Sequence, residues 1–379
     1  MERRDSKKTL RTSLRKLKPG IIDFYIIKKF LGTFFFSLVL ILGIAVIFDF
    51  SEKIDDFIEK QAPLKAVIFD YYLNFIPYFA TLFAPMFVFI AVIFFTSKMA
   101  INTEIIAILN AGMSFRRLLV PYFISAALIA SFTFVLTNFV IPHSNIKRLG
   151  FEEKYWRDPG FRKVTVSALH RQVYPNVYIY MESYNAITQS GRNFSMEKFN
   201  DHGKLESKMS AQMVRWDTTI NKWGAWWYNI RETDSLGERL STGRRIDTVL
   251  NVTPADFARS PEFVGTMNHR ELRDYIGVLK LQGSDELKLY LNEKHRRYAM
   301  PFAFFVLTLI GVSLSSRKIR GGIGMQIGLG LMLTFSYILF MQFASQFSLK
   351  GDLNPALAMW LPNIIYSFIA LGVYRFAPK

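Results

Sequence analysis

Six stretches of this chain stay apolar for long enough to cross a bilayer as a helix. They are about Phe30–Phe48, Ala66–Thr96, Leu118–Ile141, Tyr298–Leu314, Ile323–Phe347 and Pro355–Val373. Ile21–Lys29 predicts an interfacial helix entering the first. The second carries Pro77 and Pro85, which predict a kink or a join between two pieces. Asp49–Lys65 is short and charged and reads as a loop. The first span is no cleaved signal peptide, because its basic region and apolar core are too long and no small-residue cleavage site follows.

From roughly Asn145 to Gly265 the period changes. Leu205, Met209, Ala211 and Met213 alternate with Glu206, Lys208, Ser210 and Gln212, and Val164–Ala168, Val177–Glu182 and Trp223–Ile230 read similarly. Asn200-Asp-His-Gly203, Asn221-Lys and Ser190-Gly191 punctuate these runs as turns. The pattern predicts an all-β domain of about 120 residues, a sandwich or jelly-roll type. Trp216, Trp223, Trp226 and Trp227 supply its core and edges. Next, Asn268-His-Arg-Glu271 is a helix-capping signal, Gly283 breaks that helix, and Ser284 restarts one that runs through Tyr290 into the fourth span.

The predicted class is therefore a polytopic α-helical membrane protein with six transmembrane helices and an inserted all-β, jelly-roll-like domain. Its expected order is a basic tail (1–20), spans one to three with a loop helix at 97–117 (21–141), the β domain (145–265), then connecting helices and spans four to six (268–379).

Composition fits: 51% of the residues are hydrophobic and 36 are Phe, too many and too clustered for a soluble protein. Charge sets the orientation. The chain has 47 Lys+Arg against 30 Asp+Glu, a balance of +17, better explained by membrane topology and anionic lipid than by nucleic acid. One side carries the tail with Lys28, Lys29, Lys98, Arg116, Arg117, Arg317, Lys318, Arg320, Arg375 and Lys379; the opposite short loops hold Lys53, Lys60, Lys65 and Lys350. Both termini are expected inside and the β domain outside.

Chemistry is sparse. The chain has no cysteine, which excludes disulfides, thiolate metal sites and cysteine nucleophiles. No H-E-x-x-H or G-x-x-x-x-G-K-[ST] occurs, the five His are scattered, and no nucleophile–base pair stands out. No cofactor is called for, and the chain does not read as an enzyme. The spans lack the acids and His pairs of an ion relay. Gly321, Gly322, Gly324 and Gly328 read as a loop followed by small-residue helix packing.

Two features remain. The inside loop Ser97–Arg117 is written as a helix: Ile101, Ile105, Ile108 and Leu109 share a face, Asn102 is the expected N-cap, Glu104 sits in the first turn, and Gly112 closes the end. Such an element either docks a partner, lies flat on lipid, or tucks under the bundle. Secondly, Lys147, Arg148, Arg296 and Arg297 sit at the outer rim against the inside bias. Together with Lys53 they either pair with acids of the β domain or form an anion site for lipid phosphates.

The chain resembles the lipopolysaccharide-export permeases of the LptF/LptG (YjgP/YjgQ-type) family. The resemblance runs through Ile21-Ile-Asp-Phe-Tyr-Ile-Ile-Lys-Lys29, Glu104-Ile-Ile-Ala-Ile-Leu-Asn-Ala-Gly-Met-Ser114, Ser210–Trp216 with Trp227, Glu271-Leu-Arg-Asp-Tyr-Ile276, and Tyr290, Glu293, His295-Arg-Arg297 and Pro301. It covers essentially everything after the basic tail, which is not a family feature. It implies a permease subunit in the inner membrane of a Gram-negative-type bacterium. It also implies a paralogous partner permease, a cytoplasmic ABC ATPase dimer, and a periplasmic bridge of jelly-roll proteins that receives lipopolysaccharide drawn from the outer leaflet. In that setting Glu104, with Ile105, Ile108, Leu109 and Gly112, would couple to the ATPase. A permease for lipoproteins or another amphiphile, and a receptor or scaffold whose β domain only binds a partner, are the competing readings.

Overall fold

A chain in hydrocarbon has no water to satisfy its amides, so each crossing must close its hydrogen bonds within itself. The computed structural model of the protein describes residues 20–156, 165–234, 237–258, 261–284, 286–317 and 322–377. The basic tail before Gly20, and Val164, Lys318, Arg320, Gly321 and Lys379, lie outside the described residues. Helices α1 (Ile21–Glu59), α2 (Leu64–Ile101), α3 (Glu104–Asn110) and α4 (Phe115–Tyr155) are followed by six strands. After the strands come α5 (Pro254–Ala258), α6 (His269–Leu281), α7 (Leu287–Ser315), α8 (Gly322–Lys350) and α9 (Pro355–Arg375). Among the described residues six helices, α1, α2, α4, α7, α8 and α9, are long and apolar enough to cross a membrane.

The helices outrun the apolar stretches. Asp49–Lys65 is no simple loop, since α1 stays helical through Glu59 and α2 begins at Leu64. Likewise Asn145 does not open the β region: α4 continues to Tyr155. Pairs one turn apart, Lys53–Asp49 and Arg148–Glu152, both at 2.6 Å, favour helix in these polar extensions. Helix α2 runs unbroken through Pro77 and Pro85, and its irregularity is a π turn at Val67–Tyr72.

The described residues divide into two compact units: the chain up to Ile54 with Tyr72–Ser144 and everything from His295, and Asp55–Tyr71 with Asn145–Lys294. In the first unit α2 lies at the centre of two cores. One face, with Val88, Ala91, Val92 and Phe95, packs on Phe30 and Phe34 of α1 and on Leu118, Tyr122 and Ala126 of α4. The other, with Phe89 and Ile93, meets Ala303 and Leu307 of α7 and Tyr337 of α8. Side chains this large need small neighbours. A Cβ on Gly311 would stand 2.9 Å from Val92 Cγ1, and one on Gly330 would run into Ile93 and Phe89. The packing expected of Gly324 and Gly328 is made by Gly330 instead, because those two face open space. Asn363 ties three helices: it accepts from the Tyr337 hydroxyl at 2.9 Å and donates to the Ala299 carbonyl at 2.8 Å.

The second unit holds one antiparallel sheet of β1 (Thr165–Tyr174), β2 (Val177–Asn185), β3 (Ser190–Phe199), β4 (Leu205–Asp217), β5 (Lys222–Asp234) and β6 (Gly237–Thr248), in sequence order. Every ladder skips one pair, and the skipped residues form a row across all six strands: Ala168, Glu182, Asn193, Gln212, Trp227 and Arg244. Ala168, Asn193 and Trp227 adopt positive φ of 52°, 48° and 50°. The inside–outside alternation changes phase there. In β4 the inward residues are Met209 and Ala211 before the row and Val214 after it. A crease of aligned unpaired residues, with the register kept on either side, lets residues from both halves of the meander contribute to a single core.

The expected period-two run therefore fails at Met213, which is half-buried beside the buried Val214. Ser190-Gly191, read as a turn, opens β3, where the missing Cβ of Gly191 makes room for Met181. Trp223 is fully buried and donates Nε1–H to the Val252 carbonyl at 2.8 Å, while Trp227 on the crease is exposed. Burial pushes the Tyr184 hydroxyl in this core up to about 12. The Asn268 capping box is formed as expected, with Glu271 accepting from the Asn268 amide at 2.9 Å, and α6 is anchored on β1 by the Gln172 amide to the Gln282 carbonyl at 3.3 Å.

Trp223→Ala should destabilise the β unit by about 3–5 kcal/mol through lost burial and a lost hydrogen bond. Trp227→Ala should cost under about 0.5 kcal/mol. Urea-dependent proteolysis of the purified chain, read on fragments of the sheet, separates the two.

Candidate functional site

The loop between α2 and α4 is built so that a helix of 7 residues is held at both ends. Apolar sequence carries α2 through Ile101, so Asn102 is taken up in its last turn, its amide bonding to the Lys98 carbonyl at 3.0 Å. Thr103 then turns left-handed, φ 61°, and stops the helix. The N-cap of α3 is thus Thr103, without a side-chain cap, and not Asn102. Asn102 instead reaches forward and donates to Glu104 Oε1 at 3.3 Å. At the other end Gly112 takes φ 86°, donating to the Leu109 carbonyl at 3.0 Å, which glycine permits at no steric cost. Ser114 caps α4 by accepting from the Arg117 amide.

Ile105 is buried against the first core, and Ile108 and Leu109 pack half-buried beside it. Ile101, expected on the same face, ends α2 and is exposed. The apolar stripe legible in the sequence is therefore the face tucked under the helices. The surface of α3 left open is Ile106, Ala107 and Asn110, continued by Ala111 and Gly112. Glu104 sits at its margin, half-buried, accepting from the Tyr25 hydroxyl at 3.1 Å.

A charge pair brackets this loop. Arg117 at the start of α4 donates Nη1–H to Asp23 Oδ1 of α1 at 2.7 Å and Nη2–H to Oδ2. Asp23 is buried and also accepts from the Gly20 amide at 2.7 Å. A bidentate guanidinium–carboxylate fork fixes orientation as well as distance. Sequence reasoning missed this pair. Its members lie 94 residues apart, Asp23 reads as an interfacial acid, and Arg117 reads only as an inside charge.

The five cations expected at the outer rim fall in both units. Lys53, Arg296 and Arg297 belong to the first, Lys147 and Arg148 to the second. Lys53 is buried and bonded to Asp49, which also accepts from the Tyr72 hydroxyl at 3.2 Å. Arg148 binds Glu152 and Asn145 of its own helix. For Lys53 and Arg148 an acid lies one turn along the same helix. Lys147 is exposed, Arg296 half-buried and Arg297 buried. Among the described residues no cluster of His, Asp and Glu is placed to hold a metal ion.

Six membrane-crossing helices, an inserted antiparallel sheet and a stapled loop helix define a polytopic membrane protein with a β module. The lipopolysaccharide export system permease LptF/LptG family model matches residues 24–376, and the chain belongs to that family. No individual curated protein matches it significantly. The family makes the chain a permease subunit of lipopolysaccharide export, a multi-pass membrane protein.

Asp23→Ala should leave Arg117 half-solvated and loosen the loop by about 2 kcal/mol. The expected readout is faster tryptic cleavage after Lys98 and Arg116 in detergent, with helix content unchanged by circular dichroism.

Proposed function

We propose that this chain is the wall of an ATP-driven lipopolysaccharide extractor whose engine is a separate cytoplasmic ABC ATPase dimer docked on α3. Support comes from a single arrangement: a two-turn helix with one face sunk in its own protein, the other open, and both flanks tied to α1. A helix so held moves as part of the spans rather than flexing alone, so a push on it displaces them as rigid bodies. Glu104 and the open residues Ile106, Ala107 and Asn110 make the contact, with Ile105, Ile108 and Leu109 seating the helix and Gly112 ending it.

Both termini are then cytoplasmic and the β unit periplasmic, in the inner membrane. A paralogous permease completes the cavity, lipopolysaccharide enters from the outer leaflet, and a bridge of jelly-roll proteins receives it. Lys53, Lys147, Arg148, Arg296 and Arg297 are the groups proposed to meet the lipid phosphates, as charge-assisted hydrogen bonds at headgroup depth. The β unit passes the lipid on, or docks the bridge by edge-strand addition.

Glu104→Ala and Ile106→Asp should leave the protein folded in the membrane but lower lipid export per ATP hydrolysed by about tenfold. Export at the normal ratio from both variants would refute docking on α3. Neutralising Arg296 and Arg297 together should weaken photocrosslinking of lipopolysaccharide to the complex, and undiminished crosslinking would remove them from the lipid site.

A further inference from the structure

Rigid-body motion needs a path from α3 into the bundle, and α3 follows directly on α2. Near that junction Ser97, fully buried on the last turns of α2, donates its hydroxyl to Gln326 Oε1 of α8. The same Gln326 side chain, 5% exposed, donates Nε2–H to the Arg317 carbonyl at 3.1 Å, just beyond the end of α7. One amide thus joins α2, α8 and the end of α7, about two helical turns before α3 begins. Further along the same pair of helices, Gly330 lets α8 close on Ile93 and Phe89 of α2. A polar clamp at one end and a side-chain-on-glycine contact at the other leave α2 and α8 little freedom to slide.

We infer that Gln326 is a positioning residue for transport: it delivers the displacement of α3 and α2 to α8, so that the fifth span moves with the engine's stroke. The inference rests on the docking of an ATPase at α3. Fold stability alone does not require this glutamine. An apolar residue would satisfy the packing, and a hydroxyl such as Ser97 could bond back to its own helix, as Ser315 does to the Gly311 carbonyl. A side-chain amide that bonds two other segments at once specifies their relation, at the cost of an orphaned group whenever one of them departs.

The test uses the complete transporter in proteoliposomes, comparing Ser97→Ala, Gln326→Leu and the double variant. Ser97→Ala removes only the α2–α8 bond and leaves the tie to the Arg317 carbonyl intact. The expected result is assembly with the ATPase and normal hydrolysis, with lipopolysaccharide exported per ATP reduced about five- to tenfold in each variant and no further in the double. Wild-type export per ATP from Ser97→Ala overturns the inference, whether or not Gln326→Leu is defective, because the bond to α2 would then carry nothing. Losses that add in the double variant also overturn it, since two ends of one link cannot be broken twice. Failure of docking on α3 is distinguishable: it shows as wild-type export per ATP in Glu104→Ala and Ile106→Asp, whereas failure of this inference shows as wild-type export per ATP in Ser97→Ala while those two variants are defective.

Discussion

Hydrocarbon offers no partner to a polar group, and that constraint shapes the polar residues that join the helices of the first unit. Asn363, Gln326, Thr96 and Tyr122 lie in spans, and each has its hydrogen-bonding atoms turned to another helix. Thr96 and Tyr122 share a bond at 3.0 Å beside the ring stack of Tyr122 on Phe95, centroids 5.3 Å apart. Such bonds between helices contribute modestly each, about 0.6 kcal/mol on average, but they carry direction, which apolar packing does not. The bundle is apolar in composition and specified by a few amides and hydroxyls.

At the surface where the spans end, the constraint relaxes and charge takes over. Asp23 and Arg117 meet there, and their fork holds the starts of α1 and α4 together on either side of α3. The loop helix has too few residues to be stable by itself. It persists because Ile105 is buried, because Thr103 and Gly112 adopt the left-handed turns that end one helix and release the next, and because Tyr25 reaches Glu104. The proposed coupling builds on that dependence: a short helix that owes its shape to its surroundings would hand a displacement on to them.

Much of this was legible in the sequence, since a spanning helix advertises itself by length and hydropathy, and all six were found. The helix ends were not. Lys53–Asp49 and Arg148–Glu152 extend α1 and α4 past the apolar stretch, and i, i+4 pairs in a polar segment look the same in a loop. The α3 stripe of Ile105, Ile108 and Leu109 is legible but its direction is not, because periodicity tells which residues share a face but not what that face meets. The close approach that the sequence suggests for Gly324 and Gly328 is made by Gly330, because it depends on which way a helix is rotated. The pairs Asp23–Arg117 and Ser97–Gln326 join segments far apart in the chain, so no local pattern could show them.

The crease in the sheet leaves a mark on how this domain can change over time. All six strands carry their irregular residue at one shared level, so strand lengths above and below it are mutually bound. Insertion or deletion of a single residue within one strand would turn that strand's inward side chains outward on one side of the fold, while its neighbours stayed in step. Away from the ends of the strands, a change of length at that level is expected to cost more than a substitution.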